Sequence, residues 1–167
     1  KRGEKPYFTI AASTVPAQYL LPNILMRFRS PYPMEQFRIL ESDSARVVEK
    51  VAARRADIGL TGTDAAGKYC EFVPFYEDEL IVITPNSVKY QNRKQSGSAL
   101  EWIAGEPMLL REEGSGTRKE AMKLLQRAGI EESKLQVIAS IENPETIKRS
   151  VASGMGISIL SALSAQA

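Results

Sequence analysis

The first sixty residues alternate between strand-like and helix-like patterns, and this order of elements constrains the fold more than any other feature. Continuous apolar runs of a few residues predict buried strands, whereas apolar residues three or four positions apart predict helices. Strands joined by helices pair in parallel through right-handed crossovers, so the chain begins as an α/β fold. The predicted strands are residues 7–12, 37–41 and 58–61, and the helices are residues 16–29 and a second one capped by Asp43 or Ser44.

The first predicted helix has its apolar residues on one face, at helical spacing. This face consists of Leu20, Leu21, Ile24, Leu25 and Phe28. Pro31 and Pro33 follow it and end the helix.

The same alternation starts again in the second half of the chain. After apolar runs at 72–75 and 80–84, residues 86–99 are polar, and we expect a loop and a short helix near 98–103. The chain therefore contains two successive α/β halves, which we assign to domains 1–76 and 77–167. In the second half, strands are predicted at 108–111, 135–141 and 157–160, and helices at 117–128, at 143–153 and from about Ala162.

Composition narrows the classes of function. The chain has no histidine and a single cysteine, Cys70, so no Ser-His-Asp or Cys-His site can exist within it and a zinc site is disfavoured. Its net charge of +2 lacks the strong basic excess typical of nucleic-acid binding, so we expect any DNA contact to come from a segment outside this chain. No apolar run approaches the roughly 20 residues of a membrane span. We predict no enzyme, no cofactor and no metal, and we interpret Cys70 as a buried structural thiol.

The strand-to-helix turns are the candidate binding sites, because open parallel sheets bind ligands beyond the carboxyl ends of their strands. The strongest candidate is the turn at 111–118, which reads Arg-Glu-Glu-Gly-Ser-Gly-Thr-Arg. Gly114 and Gly116 let a ligand approach the backbone closely, while Ser115, Thr117 and the N–H groups of a helix start supply donors. The helix dipole adds partial positive charge, so this turn predicts an anionic ligand.

Other interpretations of this turn are structural. It is not a Walker A loop, because no Lys-Ser/Thr pair follows the glycines at the required spacing. Thr117 and Glu120 could instead form a capping box, which can coexist with ligand binding. Adjacent loop residues point in different directions, so we interpret Glu112 and Glu113 as solvated charges rather than as a catalytic pair.

Three further turns carry small polar residues, each with a structural alternative. Capping explains the first and the last of them, and a plain turn explains the middle one. Their recurrence in both halves favours binding, because two facing lobes would bring these turns to one cleft, as in a clamp for a small polar ligand. These candidates are Ser13 and Thr14, then Thr61, Gly62 and Thr63, and finally Asn143.

Four segments, taken in order, resemble the effector-binding domain of LysR-type transcription regulators. The opening residues 8–14 and the following Tyr19–Pro22 resemble the family's first strand and helix. The Ala-Asp-Ile-Gly-Leu stretch at 56–60 resembles its third strand, and residues 75–83 resemble its crossover into the second lobe. Residues 150–157 resemble a late helix, turn and strand.

This resemblance implies a fold like that of type II periplasmic binding proteins, with two Rossmann-like lobes and a ligand in the cleft. It implies that the turns at Ser13–Thr14, Gly62–Thr63, Ser115–Thr117 and Asn143 line the effector site. It also implies dimers or tetramers, and a helix-turn-helix DNA-binding domain and linker helix ahead of residue 1. Ser161 departs from the family pattern, which has proline there, and family domains continue past the position of Ala167 with a tail absent from this chain.

The resulting prediction is a cytoplasmic regulatory domain that senses a small anionic or polar metabolite in the inter-lobe cleft. The alternative is an extracytoplasmic solute-binding protein for a small oxyanion, which the turn at 111–118 would serve equally well. The upstream sequence separates these two, because a helix-turn-helix favours the regulator and a signal peptide favours the solute-binding protein.

Overall fold

The computed structural model describes residues 7–64, 69–96 and 100–167. These residues form two compact units. The first comprises the chain up to Glu77 together with Gly114–Gly116, and the second comprises Asp78–Glu113 and Thr117–Ala167. No helix in the described ranges is both long enough and apolar enough to span a bilayer.

The first unit is built on a parallel three-stranded sheet in the order β2-β1-β3, as the alternation of elements predicts. In this sheet Ile10 lies opposite Ile39 on one side and Ile58 on the other. Its central strand is buried through small residues, among them Ala11 and Ala12. Its elements are β1 (Phe8–Ser13), a π-helical turn (Pro16–Leu20), α1 (Leu21–Arg29), β2 (Phe37–Ser42), α2 (Ser44–Ala52) and β3 (Ile58–Leu60).

The helix predicted at 16–29 is present, but its first five residues are π-helical. Pro22 occupies the first turn of α1, where its fixed φ is compatible with a helix. On the predicted apolar face Leu21 is buried, whereas Ile24 and Phe28 are exposed by 41% and 43%. These side chains line an apolar cavity of about 740 Å³ within the first unit, so the apolar face of the helix is only partly buried.

Helix α2 packs closely on the sheet because β3 contains a glycine. A Cβ atom on Gly59 would lie 2.9 Å from both Val47 Cγ1 and Val51 Cγ2, which is closer than real side chains come. Asp43 caps α2 by accepting a hydrogen bond from the Arg46 N–H at 2.8 Å, so the first of the two predicted caps is the one used.

The second unit is built on a four-stranded sheet in the order β4-β7-β5-β6. Strands β5, β6 and β7 are parallel, whereas β4 runs antiparallel to β7. Its elements are β4 (Leu80–Ile83), α3 (Val88–Ser96), a 3₁₀ turn (Leu100–Gly105), β5 (Pro107–Leu110), α4 (Gly116–Arg127), a 3₁₀ turn (Glu132–Lys134), β6 (Gln136–Ser140), α5 (Pro144–Ala152), β7 (Ile157–Ser161) and α6 (Ala162–Gln166).

Strand β5 carries the core of this unit on both of its faces. Met108 and Leu110 belong to a cluster that includes Leu125 of α4, whereas Leu109 belongs to a cluster that includes Ile147 of α5. The alternating side chains of one buried strand therefore hold helices on opposite sides of the sheet.

Two predictions for the middle of the chain are wrong. Residues 72–75, expected to be a strand, have no regular secondary structure. Residues 88–96, expected to be mostly loop, form the nine-residue helix α3. Gly129 and Gly154 follow the ends of α4 and α5 and have φ values of +81° and +85°, which side-chain-bearing residues rarely adopt.

Candidate functional site

The turn between β5 and α4 holds the strongest sequence candidates. Strand β5 ends at Leu110, and α4 begins at Gly116. Ser115, directly before the helix, is buried, and Thr117 lies inside the first helical turn. Thr117 therefore cannot be the N-cap residue, and the capping-box alternative for it with Glu120 is wrong. The predicted arrangement of hydroxyl groups beside the first N–H groups of a helix is present.

The two glycines of this turn allow close packing within the first unit, to which they belong. A Cβ atom on Gly116 would lie 2.7 Å from Ser44 Oγ, and one on Gly114 would lie 2.6 Å from Asp43 Cγ. Ser44 Oγ also accepts a hydrogen bond from the Gly62 N–H at 3.2 Å. Three candidate glycines thus converge on the start of α2, and Ser44 joins them although the sequence showed it only as a possible cap.

The hydroxyl groups of the turn after β3 bond to their own backbone. Thr61 Oγ1 donates to the Thr63 carbonyl at 2.8 Å, and Thr63 Oγ1 donates to the Asp64 carbonyl at 3.3 Å. Such local bonds stabilise a turn. They favour the structural interpretation of Thr61 over a direct ligand contact.

Ser13 and Thr14 lie where β1 ends, at the carboxyl edge of the first sheet. Ser13 is buried and pairs in register with Ser42 of β2, whose Oγ accepts a hydrogen bond from Lys50 Nζ at 2.8 Å. The following helix has Val15 as its N-cap residue and no side-chain capping bond. The helical residues begin at Thr14, directly after Ser13, so capping stays an alternative for this pair beside ligand binding at the edge of the sheet.

In the second unit, an ion pair between a buried arginine and a half-buried glutamate lies directly after β5. Arg111 Nε donates to Glu112 Oε2 at 2.9 Å, and Arg111 Nη2 donates to Glu112 Oε1 at 3.0 Å. The side chain of Arg111 is 3% exposed and that of Glu112 is 19% exposed. The prediction that Glu112 is a solvated charge is thus wrong, because the turn folds its carboxylate back over the preceding guanidinium.

Further polar groups lie around the carboxyl ends of β5 and β6. The Arg111 carbonyl accepts hydrogen bonds from Arg118 Nη1 at 3.1 Å and Ser140 Oγ at 3.4 Å. Arg118 Nη2 also donates to Glu132 at 2.8 Å. Asn143 Oδ1 caps α5 by accepting from the Glu145 N–H at 2.8 Å, as predicted. Sequence inspection missed the roles of Arg111 and Arg118, although both flank the glycine-containing turn.

A second buried charge lies just before β5. The carboxylate of Glu106 accepts hydrogen bonds from Lys89 Nζ and the Tyr90 hydroxyl, each at 2.7 Å. Burial tends to raise the pKa of Glu106, but these hydrogen bonds and the charges of Lys89 and Arg93 outweigh it, so its pKa is lowered. The pKa of Lys89 is raised, chiefly by its bond to Glu106, and the pKa of Tyr90 is raised first by burial and then by the same carboxylate.

Groups suited to metal or thiol chemistry are scarce. Among the described residues, no cluster of three or more cysteine, aspartate and glutamate side chains could hold a metal ion. Cys70, expected to be buried, is half-buried, with its Sγ 4.0 Å from the Val48 carbonyl oxygen. The described turns offer hydroxyl groups and helix N-termini as hydrogen-bond donors.

Comparison with known families and proteins gives a consistent result. The family model described as the LysR substrate binding domain matches residues 1–167. The HTH-type transcriptional regulator CysL of Bacillus subtilis is 32% identical over 152 residues, which make up 91% of this chain and 49% of that protein. The chain spans about half the length of the curated relatives it matches.

Solved structures agree with this fold. The regulatory domain of Synechocystis PCC6803 CcmR, solved in complex with 2-PG, matches with a TM-score of 0.78 at 23% identity, covering 95% of this chain and 74% of that one. The effector binding domain of QuiR, solved in complex with shikimate, gives the same TM-score and coverage at 14% identity. These likenesses show the α/β architecture of such effector-binding domains.

Proposed function

Because the chain belongs to the LysR family and spans its substrate-binding domain, we propose that it senses a small anionic or polar metabolite for a transcription regulator. Binding would favour one arrangement of the domain over another and so change DNA binding elsewhere in the regulator. We further propose that DNA is contacted only through a segment outside this chain, that the regulator is a dimer or tetramer, and that it acts in the cytoplasm without enzymatic activity. Its relatives are transcription regulators, which disfavours the solute-binding alternative.

The observation that carries the proposed site is the turn between β5 and α4. A buried serine directly precedes the helix, a threonine lies in its first turn, and the first N–H groups of a helix have no partner within it. Such N–H groups, together with the helix dipole, favour an anion. We propose that Gly114–Thr117 form the main contact, supported by Ser13, Thr14, Gly62, Thr63 and Asn143, with Thr61 in a turn-forming role.

A ligand screen by thermal shift tests the function. The panel contains sulfate, phosphate, acetylated amino acids and aromatic acids, and a ligand at about 100 times its Kd stabilises the native state by about 2.7 kcal/mol. A reproducible rise in melting temperature with one chemical class supports the proposal. A flat response across the panel at millimolar concentrations contradicts it.

Two alanine variants test the site. Ser115→Ala and Thr117→Ala remove hydroxyl groups from the β5–α4 turn, and we expect each to abolish calorimetrically detectable binding of the best panel ligand while the circular dichroism spectrum is unchanged. Ser164→Ala is the matched control, because Ser164 in α6 is as buried as Ser115 but donates its hydrogen bond to the carbonyl of Ser161, the last residue of β7. Unchanged affinity in both turn variants would show that the site lies elsewhere.

A further inference from the structure

The cations beside the proposed anion site already have carboxylate partners. Arg111 is paired through two hydrogen bonds with Glu112, and Arg118 with Glu132. The two pairs together carry no net charge. An anionic effector that approaches the start of α4 therefore meets the helix dipole but no uncompensated guanidinium from these residues.

The Arg111–Glu112 pair has the geometry of a carboxylate receptor. Both oxygens of Glu112 lie on the edge formed by Nε and Nη2, at 2.9 and 3.0 Å. Parallel bonds of this kind are the preferred way in which arginine binds a planar carboxylate. The position of the Glu112 carboxylate is thus one that the carboxylate of a ligand could occupy with the same two bonds.

The two partners differ in how firmly they are held. The backbone of Arg111 is fixed through its carbonyl, which accepts bonds from Arg118 and Ser140, and its side chain is almost fully buried. Glu112 lies in the irregular turn after β5, and its side chain is six times as exposed, at 19% against 3%. Glu112 is therefore the partner that can exchange, while the guanidinium stays in place.

We propose that Glu112 is a built-in competitor that occupies Arg111 in the unliganded domain and is displaced by the carboxylate of the effector. This proposal rests on the proposed function and narrows its ligand class to small carboxylates. A tethered competitor weakens the apparent affinity, because only the molecules in which Arg111 is available can bind the effector. The apparent Kd is the intrinsic Kd divided by the fraction of such molecules. Movement of the Glu112 side chain into solvent would then accompany binding of an effector to the turn and so indicate it.

The test compares Glu112→Gln with Glu113→Gln, since both remove one negative charge and Glu113 is exposed. The probes are acetate and benzoate, with acetamide and benzamide as uncharged matches, titrated by NMR. If Arg111 is available in about a tenth of wild-type molecules, Glu112→Gln lowers the carboxylate Kd about 10-fold. Glu113→Gln changes it by less than about twofold, because that residue contributes only a screened surface charge. The amides show no such difference.

A second measurement covers the case in which Glu112→Gln does not fold. In the wild-type protein, the ¹⁵N signal of Arg111 Nε should shift on addition of acetate or benzoate and not on addition of the amides. An unchanged Kd in Glu112→Gln, or an unmoved Nε signal, overturns this inference. If either result occurs but carboxylate binding is lost in Ser115→Ala, the proposed function stands without this inference. If no variant binds a carboxylate, this inference is overturned, but binding of sulfate or phosphate still supports the proposed function.

Discussion

The two ends of strand β5 each carry a buried charge, and the two charges are handled differently. Glu106 lies just before the strand and is 4% exposed, and Arg111 lies just after it and is 3% exposed. Glu106 receives its donors from α3, a helix 16 and 17 residues earlier in the chain. Arg111 receives its carboxylate from the next residue, within the turn that leads into α4.

We call the Glu106 end of β5 the structural end and the Arg111 end the adaptable end. The bonds to Glu106 join distant segments, so losing them loosens the packing of α3 against the core. The pair at Arg111 joins neighbours and can rearrange without moving a helix. The N-termini of α4 and α5 follow the strands only at the Arg111 end of β5. This is the end of an open sheet at which ligands bind.

The largest expected effect is at the structural end. Glu106→Ala leaves the Tyr90 hydroxyl without its acceptor and deletes a buried carboxylate, which should lower the free energy of unfolding by about 3 kcal/mol. Urea denaturation measures this, with Glu101→Ala, at an exposed position in the neighbouring 3₁₀ turn, as the control. Carboxylate affinity should stay within about twofold of wild type, since additivity holds for distant sites. A stability loss no larger than that of the control would remove the contrast between the two ends.

The pH dependence of stability sharpens the same comparison. The folded-state pKa of Glu106 lies below its ordinary value of 4.5, so its contribution is present above that value and is lost as the pH falls through the lowered pKa. The pKa of Lys89 lies above its ordinary 10.5, so its contribution is complete below 10.5 and is lost as the pH rises through the raised pKa. The difference in melting temperature between wild type and Glu106→Gln should therefore be flat from about pH 5 to 9 and shrink on both sides. A difference that varies within that window would assign the stabilisation to other groups.

How far the sequence predicts this molecule depends on whether a pattern is local. The strands and helices of the first unit follow from apolar spacing, whereas α3 was missed because the polar segment around it shows no apolar stripe. That helix is held by Lys89 and Tyr90 on Glu106, a long-range contact that sequence cannot show. The π-helical turn before α1 is likewise invisible in a helical pattern.

The candidate site shows the same limit. The positions of its turns follow from the order of strands and helices, and the cap at Asn143 follows from its sequence neighbours. The sequence does not show which hydroxyl groups already have a hydrogen-bond partner, as the hydroxyl of Thr61 does. The pairing of Arg111 with Glu112 cannot be predicted from the sequence either, because adjacent side chains meet only where an irregular turn folds one over the other.

The smallest expected stability effect is at Asn143, on the adaptable side of the sheet. Its Oδ1 caps α5, so Asn143→Ala should cost about 1 kcal/mol, whereas Asn143→Asp should cost less than about 0.5 kcal/mol because aspartate caps equally well. If Asn143 also faces an anionic ligand, the two variants rank in the opposite order for binding. Asn143→Asp then weakens binding more than Asn143→Ala, because its added negative charge repels a carboxylate. Parallel urea denaturation and NMR titration with benzoate measure both quantities. If Asn143→Asp binds benzoate as tightly as wild type does, Asn143 is a helix cap alone, and the adaptable end is confined to the turn between β5 and α4.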